Sequence, residues 1–279
     1  PCEYLRKKEG FEVTCLPVDT EGRVNSDSVR KALRPDTVLV SIMAANNEIG
    51  TLQPVAEIGA LCRERGVVFH TDAVQWFGKE PFNEMEQFHA DLVSICAHKF
   101  HGPKGAGALY IRSPLHPDPI LFGGGHENER RAGTENVAAV IGFVEGLERF
   151  VPTPVFPEHQ IGPLSDHLLT LIDSLHGSGV HFRGSRPNRL TNTVAFTVDG
   201  VDSMTMLAAL DLEGICASSG SACSAGSLEP SHVMIALGVG VEAANSLVRL
   251  SLGRESTDDE VATLKKVLPA VISRAQRSK

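Results

Sequence analysis

The unit that most restricts the fold spans residues 37–75. A mostly apolar stretch, TVLVSIM at 37–43, leads to an amphipathic helix over 54–65, and a second apolar stretch, VVFHTDAVQ, follows at 67–75. Within the helix Val55, Ile58, Leu61 and Cys62 fall on one face, Pro54 occupies the first turn and Gly66 is placed to cap the end. A helix between two apolar strands implies a right-handed crossover joining parallel neighbours. The alternation begins earlier: residues 11–18 alternate like a strand, and 25–33 carry apolar positions at helical spacing after a turn at 19–22. Two more strands are predicted at 91–96 and 107–112, which gives an α/β fold with a mainly parallel sheet.

Three prolines within residues 151–157 stop any helix there and mark a boundary. Beyond it the pattern predicts a helix at 164–175, strands at 180–183 and 190–198, and a helix at 203–212. A strand at 215–218, a helix at 229–237, a strand at 247–252 and a final helix at 257–277 follow. The expected organisation is a large domain, 1–150, and a smaller α+β carboxyl-terminal domain, 151–279.

A chain of 279 residues with 42% hydrophobic composition can bury a sizeable core in one large domain or two modest ones. Its net charge of -8 argues against nucleic acid or an anionic membrane as a main partner, and no apolar run is long enough to span a bilayer. The six cysteines are scattered without a CxxC framework, which fits reduced thiols in a cytosol-like compartment. The sequence starts at Pro1 with a helix already under way at Cys2, so an amino-terminal truncation is expected.

The chemistry centres on residues 91–105, DLVSICAHKFHGPKG, where a buried strand runs into a Gly/Pro-rich loop with Lys99 just past the strand end. A lysine there is partly desolvated, which lowers its pKa and frees a neutral amine to form a Schiff base with a carbonyl. A solvated loop lysine is the ordinary alternative. Asp72 closes the preceding strand, and ligands of open α/β sheets sit beyond the carboxyl ends of the strands. By itself Asp72 reads equally as a cap or turn residue. Together, a carboxylate for a pyridinium nitrogen and a lysine for an aldehyde form the arrangement that lets pyridoxal phosphate act as an electron sink.

Other candidates are weaker alone. Asn47, in the polar turn at 44–50, suits a ligand contact or ordinary Asx-turn chemistry. GGGHENERRAGT at 123–134 opens a predicted helix, and its amides with Thr134 suit a phosphate nest or a plain flexible loop. It lacks the GKS/T ending of a nucleotide loop, and no GxGxxG opens a βαβ unit, so nucleotide binding is disfavoured. Residues 217–231 are rich in small side chains and carry Cys223, a thiol able to reach a neighbouring pocket, whereas Cys216 reads as core. Arg249, inside a short apolar strand, must find an anion, either a substrate carboxylate or a structural salt bridge, and the salt bridge suits Arg254 better.

Taken together these stretches resemble the group I cysteine desulfurases, members of the class V aminotransferases that supply sulfur for iron–sulfur clusters and other thio-cofactors. NNEIG, HTDAVQ, AHKFHGPKG, GGGHENERRAGT, SSGSACS and VRLSLGR occur in that family's order across essentially the whole chain. The resemblance implies the pyridoxal-phosphate-dependent transferase fold of type I and a homodimer with shared active sites. It implies that Lys99 carries pyridoxal 5'-phosphate as a Schiff base, that Asp72 pairs with the pyridine nitrogen, and that Gln75 and Asn47 contact the ring oxygen or substrate. His98, in the catalytic group beside Lys99, would help bind the phosphate, and Thr134 would reach the phosphate in the neighbouring subunit. Arg249 would hold the carboxylate of L-cysteine, and Cys223 would accept its sulfur as a persulfide, releasing L-alanine. An acceptor or iron–sulfur scaffold protein would then take the sulfur, and no metal is expected.

The sequence departs from that family in three places. Cys96 stands where a serine commonly donates to the cofactor phosphate, and a thiol donates weakly. A Gly-Ala-Thr phosphate turn and a histidine stacked on the ring belong to a section before Pro1, and an extended tail used in scaffold docking would lie beyond Lys279. Rival readings are a selenocysteine lyase or other pyridoxal lyase and, in another class, a non-catalytic scaffold of a sulfur pathway.

Overall fold

The computed structural model describes residues 1–152, 154, 157–220 and 230–277. Helices α1 (Cys2–Lys8) and α2 (Ser26–Ala32) precede the first sheet, and the Asn25 side chain caps α2 by accepting from the Asp27 amide. The sheet is built from β1 (Leu39–Ser41), β2 (Val68–Asp72), β3 (Leu92–Cys96) and β4 (Gly107–Ile111) in that spatial order, with α3 (Val55–Glu64) crossing between β1 and β2. β1, β2 and β3 are parallel, as the crossover requires. β4 is antiparallel to β3, because residues 97–106 are too few for a helical return. Val55, Ile58, Leu61 and Cys62 are all buried on the predicted face of α3, and each fully buried aliphatic there contributes roughly 1.5–3 kcal/mol.

Polar ties fix the register at both ends of this sheet. Buried Asp91 accepts from the Phe69 amide at 2.8 Å and pairs with Arg112, linking the start of β3 to its neighbours on both sides. His70 spans three strands, with Nδ1 2.8 Å from Ser41 Oγ and Nε2 2.8 Å from Ser94 Oγ, and burial lowers its pKa.

The chain then forms the helical turn α4 (His126–Glu129), α5 (Val137–Phe150) and α6 (Glu158–Ser174). A second, antiparallel sheet holds β5 (Val180–Arg183), β6 (Thr193–Val198) and β7 (Val248–Ser251) in that order. Between β6 and β7 lie α7 (Ser203–Asp211), α8 (His232–Ala236) and α9 (Val241–Ala244), and α10 (Asp258–Arg277) closes the fold. Phe196, Met206, Leu168, Leu268 and Ile272 form the centre of a core that packs α6, α7 and α10 on this sheet. A separate cluster joins the layers: Ile49, from the turn after β1, packs with Ala195, Val233, Met234 and Leu247. Backbone bonds Leu52 N to Asn188 O and Leu190 N to Gly50 O, both near 2.9 Å, reinforce this junction.

Several expected boundaries shift. Residues 11–18 form no ladder strand: alternation signals extended chain, but Pro17 lacks a donor and no sheet edge among the described residues pairs with this stretch. The expected strand at 215–218 is reduced to one bridge between Ser218 and Arg249, and Cys216 is exposed, correcting its reading as core. Helix α5 starts at Val137, capped by Asn136, and so does not begin within the glycine-rich stretch. Helix α6 starts six residues earlier than expected and runs through Pro163.

Candidate active site

Two neighbouring parallel strands end together. Asp72 is paired in register with Ser94, and the Ala73 amide donates to the Ser94 carbonyl at 2.9 Å, so β2 and β3 deliver their next residues to the same edge. From β2 comes exposed Asp72, whose Oδ1 accepts from the Val74 amide at 2.9 Å. From β3 comes Cys96, followed by a 3-10 turn, Ala97–Phe100, that carries Lys99. The turn is anchored by fully buried Phe100, which packs against Phe77 and Phe143. Gly78 is required beside it: its φ is +76°, and a Cβ there would lie 2.5 Å from Phe100 Cβ.

Lys99 is half-buried at this edge and its backbone donates to Cys96. Burial raises the Cys96 thiol above its ordinary value, against the opposing pull of the Lys99 charge. His98 is exposed, with Nε2 3.8 Å from Cys96 Sγ. A second lysine, which the sequence reading did not single out, completes the group. Burial pushes Lys79 down to about 8, and the charges of Lys99 and Arg249 push it the same way. Lys79 Nζ donates to Gln75 Oε1 at 2.6 Å. Because an ammonium can only donate, the Gln75 amide oxygen is committed to Lys79, and its NH2 remains as a donor for a ligand.

Arg249 reaches the same place from the second sheet. Its backbone is bridged to Ser218, and its Nη1 donates to the Asn47 carbonyl at 2.5 Å. Asn47 therefore meets the cluster through its backbone. Burial lowers the pKa of Arg249, with Glu48 opposing, and its Nε is buried with no hydrogen-bond partner among the described residues. The structure thus brings Asp72, Gln75, Cys96, His98, Lys99, Asn47 and Arg249 into one region. Thr134 stands apart, exposed ahead of α5, and no hydrogen bond among the described residues joins it to the cluster. Cys223 lies outside the described residues.

The profile of the class-V aminotransferases matches residues 1–264. The chain belongs to the class-V aminotransferase family. Similar members include the cysteine desulfurase IscS of Dictyoglomus turgidum, 44% identical over 274 residues, a match that covers 98% of this chain and 69% of that protein. The cysteine desulfurase IscS of Methanosarcina thermophila is 43% identical over 98% of this chain and 67% of its own length. A solved NifS-like protein superposes with a TM-score of 0.85 at 33% identity, covering 98% of this chain and 71% of that one. As a class-V aminotransferase the chain has the fold of the pyridoxal-phosphate enzymes, and the cofactor is pyridoxal phosphate.

The residues present fit that group. Lys79, Lys99 and Arg249 are near enough for the last two to depress the first, a gathering of positive charge suited to a phosphate and a substrate carboxylate. The Nε of Arg249, without a partner among the described residues, is a further donor for an anion, and exposed Asp72 offers a carboxylate to a protonated ring nitrogen.

Replacing Cys96 by serine is expected to tighten pyridoxal phosphate by about 0.5–1.5 kcal/mol, because a hydroxyl donates to phosphate better than a thiol that burial keeps protonated. Titration of the cofactor into Cys96→Ser and parent proteins measures the difference. Equal or weaker binding in the serine variant would place Cys96 in packing alone.

Proposed function

We propose that this chain is a cysteine desulfurase in which L-cysteine is converted to L-alanine and the sulfur passes to Cys223 as a persulfide, for iron–sulfur cluster or other thio-cofactor synthesis. The observation that supports the assignment most is the meeting of Lys99, Asp72 and Arg249 beyond the ends of parallel strands, in a chain 44% identical to a cysteine desulfurase.

Lys99 would hold the cofactor covalently, Asp72 would pair with its ring nitrogen, Gln75 would offer its NH2 to the ring oxygen, and Cys96 and His98 would serve the phosphate. Bound pyridoxal phosphate supplies an electron sink that makes the substrate α-proton acidic. Arg249 would take the substrate carboxylate through Nε, which has no partner among the described residues, and Asn47 borders the same space. The Lys99 amine would move a proton at the substrate α-carbon. The Cys223 thiolate attacks the substrate sulfur: a sulfur–sulfur bond forms, the carbon–sulfur bond breaks with its electron pair left toward carbon, and a proton completes alanine.

Residues 1–150 form the cofactor-binding domain in this reading and 151–279 the smaller domain that carries Cys223. A homodimer is supported by α5, which leaves Val137, Val140, Ile141 and Val144 exposed just after Thr134, so that a second copy covering this face would receive Thr134 at its own site. The scattered cysteines support a cytoplasmic setting, and no described helix is long and apolar enough to cross a membrane.

The products decide the assignment. With pyridoxal phosphate and L-cysteine, the protein should give L-alanine in step with sulfide released by a thiol reductant. Pyruvate and ammonia in place of alanine would make it a pyridoxal lyase of another kind, and no turnover at all would favour a scaffold.

A further inference from the structure

Glu48 is a carboxylate placed where few are tolerated. It is 2% exposed, in the turn that follows β1. That turn is stiffened by Asn46, whose Oδ1 accepts from the amides of Glu48 at 2.8 Å and Ile49 at 3.0 Å. A buried carboxylate is costly unless its surroundings compensate it, so its partners show what it serves.

Those partners come from three parts of the second unit. Glu48 Oε2 accepts from Ser231 Oγ at 2.5 Å, across 183 positions of sequence. The same Ser231 hydroxyl accepts from the Met234 amide at 3.2 Å, as the cap of α8. Gly220 lies flat against the carboxylate: a Cβ there would stand 3.0 Å from Oε2 and 3.2 Å from Cδ, and its φ of +69° also selects glycine. Finally, the Glu48 charge raises the Arg249 pKa against burial, while Arg249 bonds the carbonyl of the adjacent Asn47. Gly220 and Ser231 flank residues 221–230 of the sequence, and the charge of Arg249 is felt at Lys79.

We propose that Glu48 is a positioning residue that couples the substrate-carboxylate site to the polypeptide carrying the sulfur acceptor. It fixes Gly220 and Ser231 relative to each other and moderates the guanidinium of Arg249 between them. The coupling rests on the reading that Arg249 binds substrate and Cys223 receives sulfur. The clamp itself is independent of that reading.

The test uses three single variants and one double variant. Glu48→Ala and Ser231→Ala should each speed hydrogen exchange at amides 218–220 and 231–234 by tenfold or more, with β6 unchanged. Combining them should add little to either alone. Glu48→Gln keeps the acceptor and the volume, so exchange there should stay near the parent value. Loss of its charge should tighten binding of L-alanine to the holoenzyme two- to fivefold, because no carboxylate then competes for Arg249. For cysteine turnover, Glu48→Ala should lower kcat at least tenfold with KM changed less, and Glu48→Gln should restore most of kcat. Exchange unchanged in both alanine variants, or unaltered L-alanine affinity in Glu48→Gln, would overturn the proposal, and the second comparison decides even if Glu48→Ala does not fold. A parent protein that binds no amino acid while exchange responds as described would overturn the substrate reading and leave the clamp standing.

Discussion

Lys99→Ala is expected to abolish alanine formation from L-cysteine, with a loss of at least ~10³-fold, while the protein folds as before. General acid–base transfer by a positioned side chain accounts for about 10²–10⁴-fold by itself, and under the proposed mechanism the variant loses covalent attachment of the cofactor as well. Stability should change little, within about 0.5–1 kcal/mol, because the turn is held by Phe100 and Ala97, which are fully buried, and Lys99 is not among the core residues. One side effect separates this site from a generic lysine. Lys99 helps to hold the Lys79 pKa down, so its removal should raise that of Lys79 and leave Lys79 a poorer nucleophile at neutral pH. Lys79 therefore should not take over. Steady-state assays with added pyridoxal phosphate, beside a thermal melt of both proteins, check the result. Appreciable turnover in a folded Lys99→Ala protein would remove Lys99 from the chemistry.

Cys223→Ser should separate the later step from the earlier ones. In the proposed mechanism cofactor attachment rests on Lys99 and its neighbours and substrate docking on Arg249, so both should persist and the spectrum should still change on addition of L-cysteine. Breaking the carbon–sulfur bond needs a nucleophile able to accept sulfur, and a serine hydroxyl does not serve. Alanine production should fall by ~10²-fold or more. Selenocysteine should still be turned over, because its carbon–selenium bond is weaker. Rapid-quench assays with both substrates, and mass spectrometry of the Cys223 peptide after brief exposure of the parent protein to L-cysteine, give the comparison. Normal L-cysteine turnover by Cys223→Ser, with no added sulfur on that peptide in the parent, would contradict the transfer step.

How much of this was readable in the sequence depends on the range of the interactions. The β1–α3–β2 crossover was readable because its signals are local: the apolar face of α3, the proline before it and the glycine after it all lie within thirteen residues of chain. Asp72 and Lys99 were readable because each sits where an apolar strand stops, and a parallel sheet brings such ends together. Lys79 was missed because it follows a glycine in a turn with no periodic pattern, and only its spacing of four from Gln75 hinted at their contact. Glu48 was inside a motif already noted, yet its role depends on Ser231 and Gly220, which no local pattern connects to it. The same limit explains residues 11–18 and 215–218: alternation and apolarity describe a single strand's needs, whereas a ladder also requires a free neighbouring edge.

The measurement that bears most directly on the account is the identity of the lysine that carries the cofactor, since two amines, Lys99 and the strongly desolvated Lys79, share the same small region. Reducing the protein loaded with pyridoxal phosphate by borohydride, digesting it and sequencing the pyridoxyl-bearing peptide by mass spectrometry settles which amine is used. The modification should fall on Lys99, in the peptide that continues from β3 through the 3-10 turn. A pyridoxyl group on Lys79 or Lys104, with Lys99 unmodified, would contradict it.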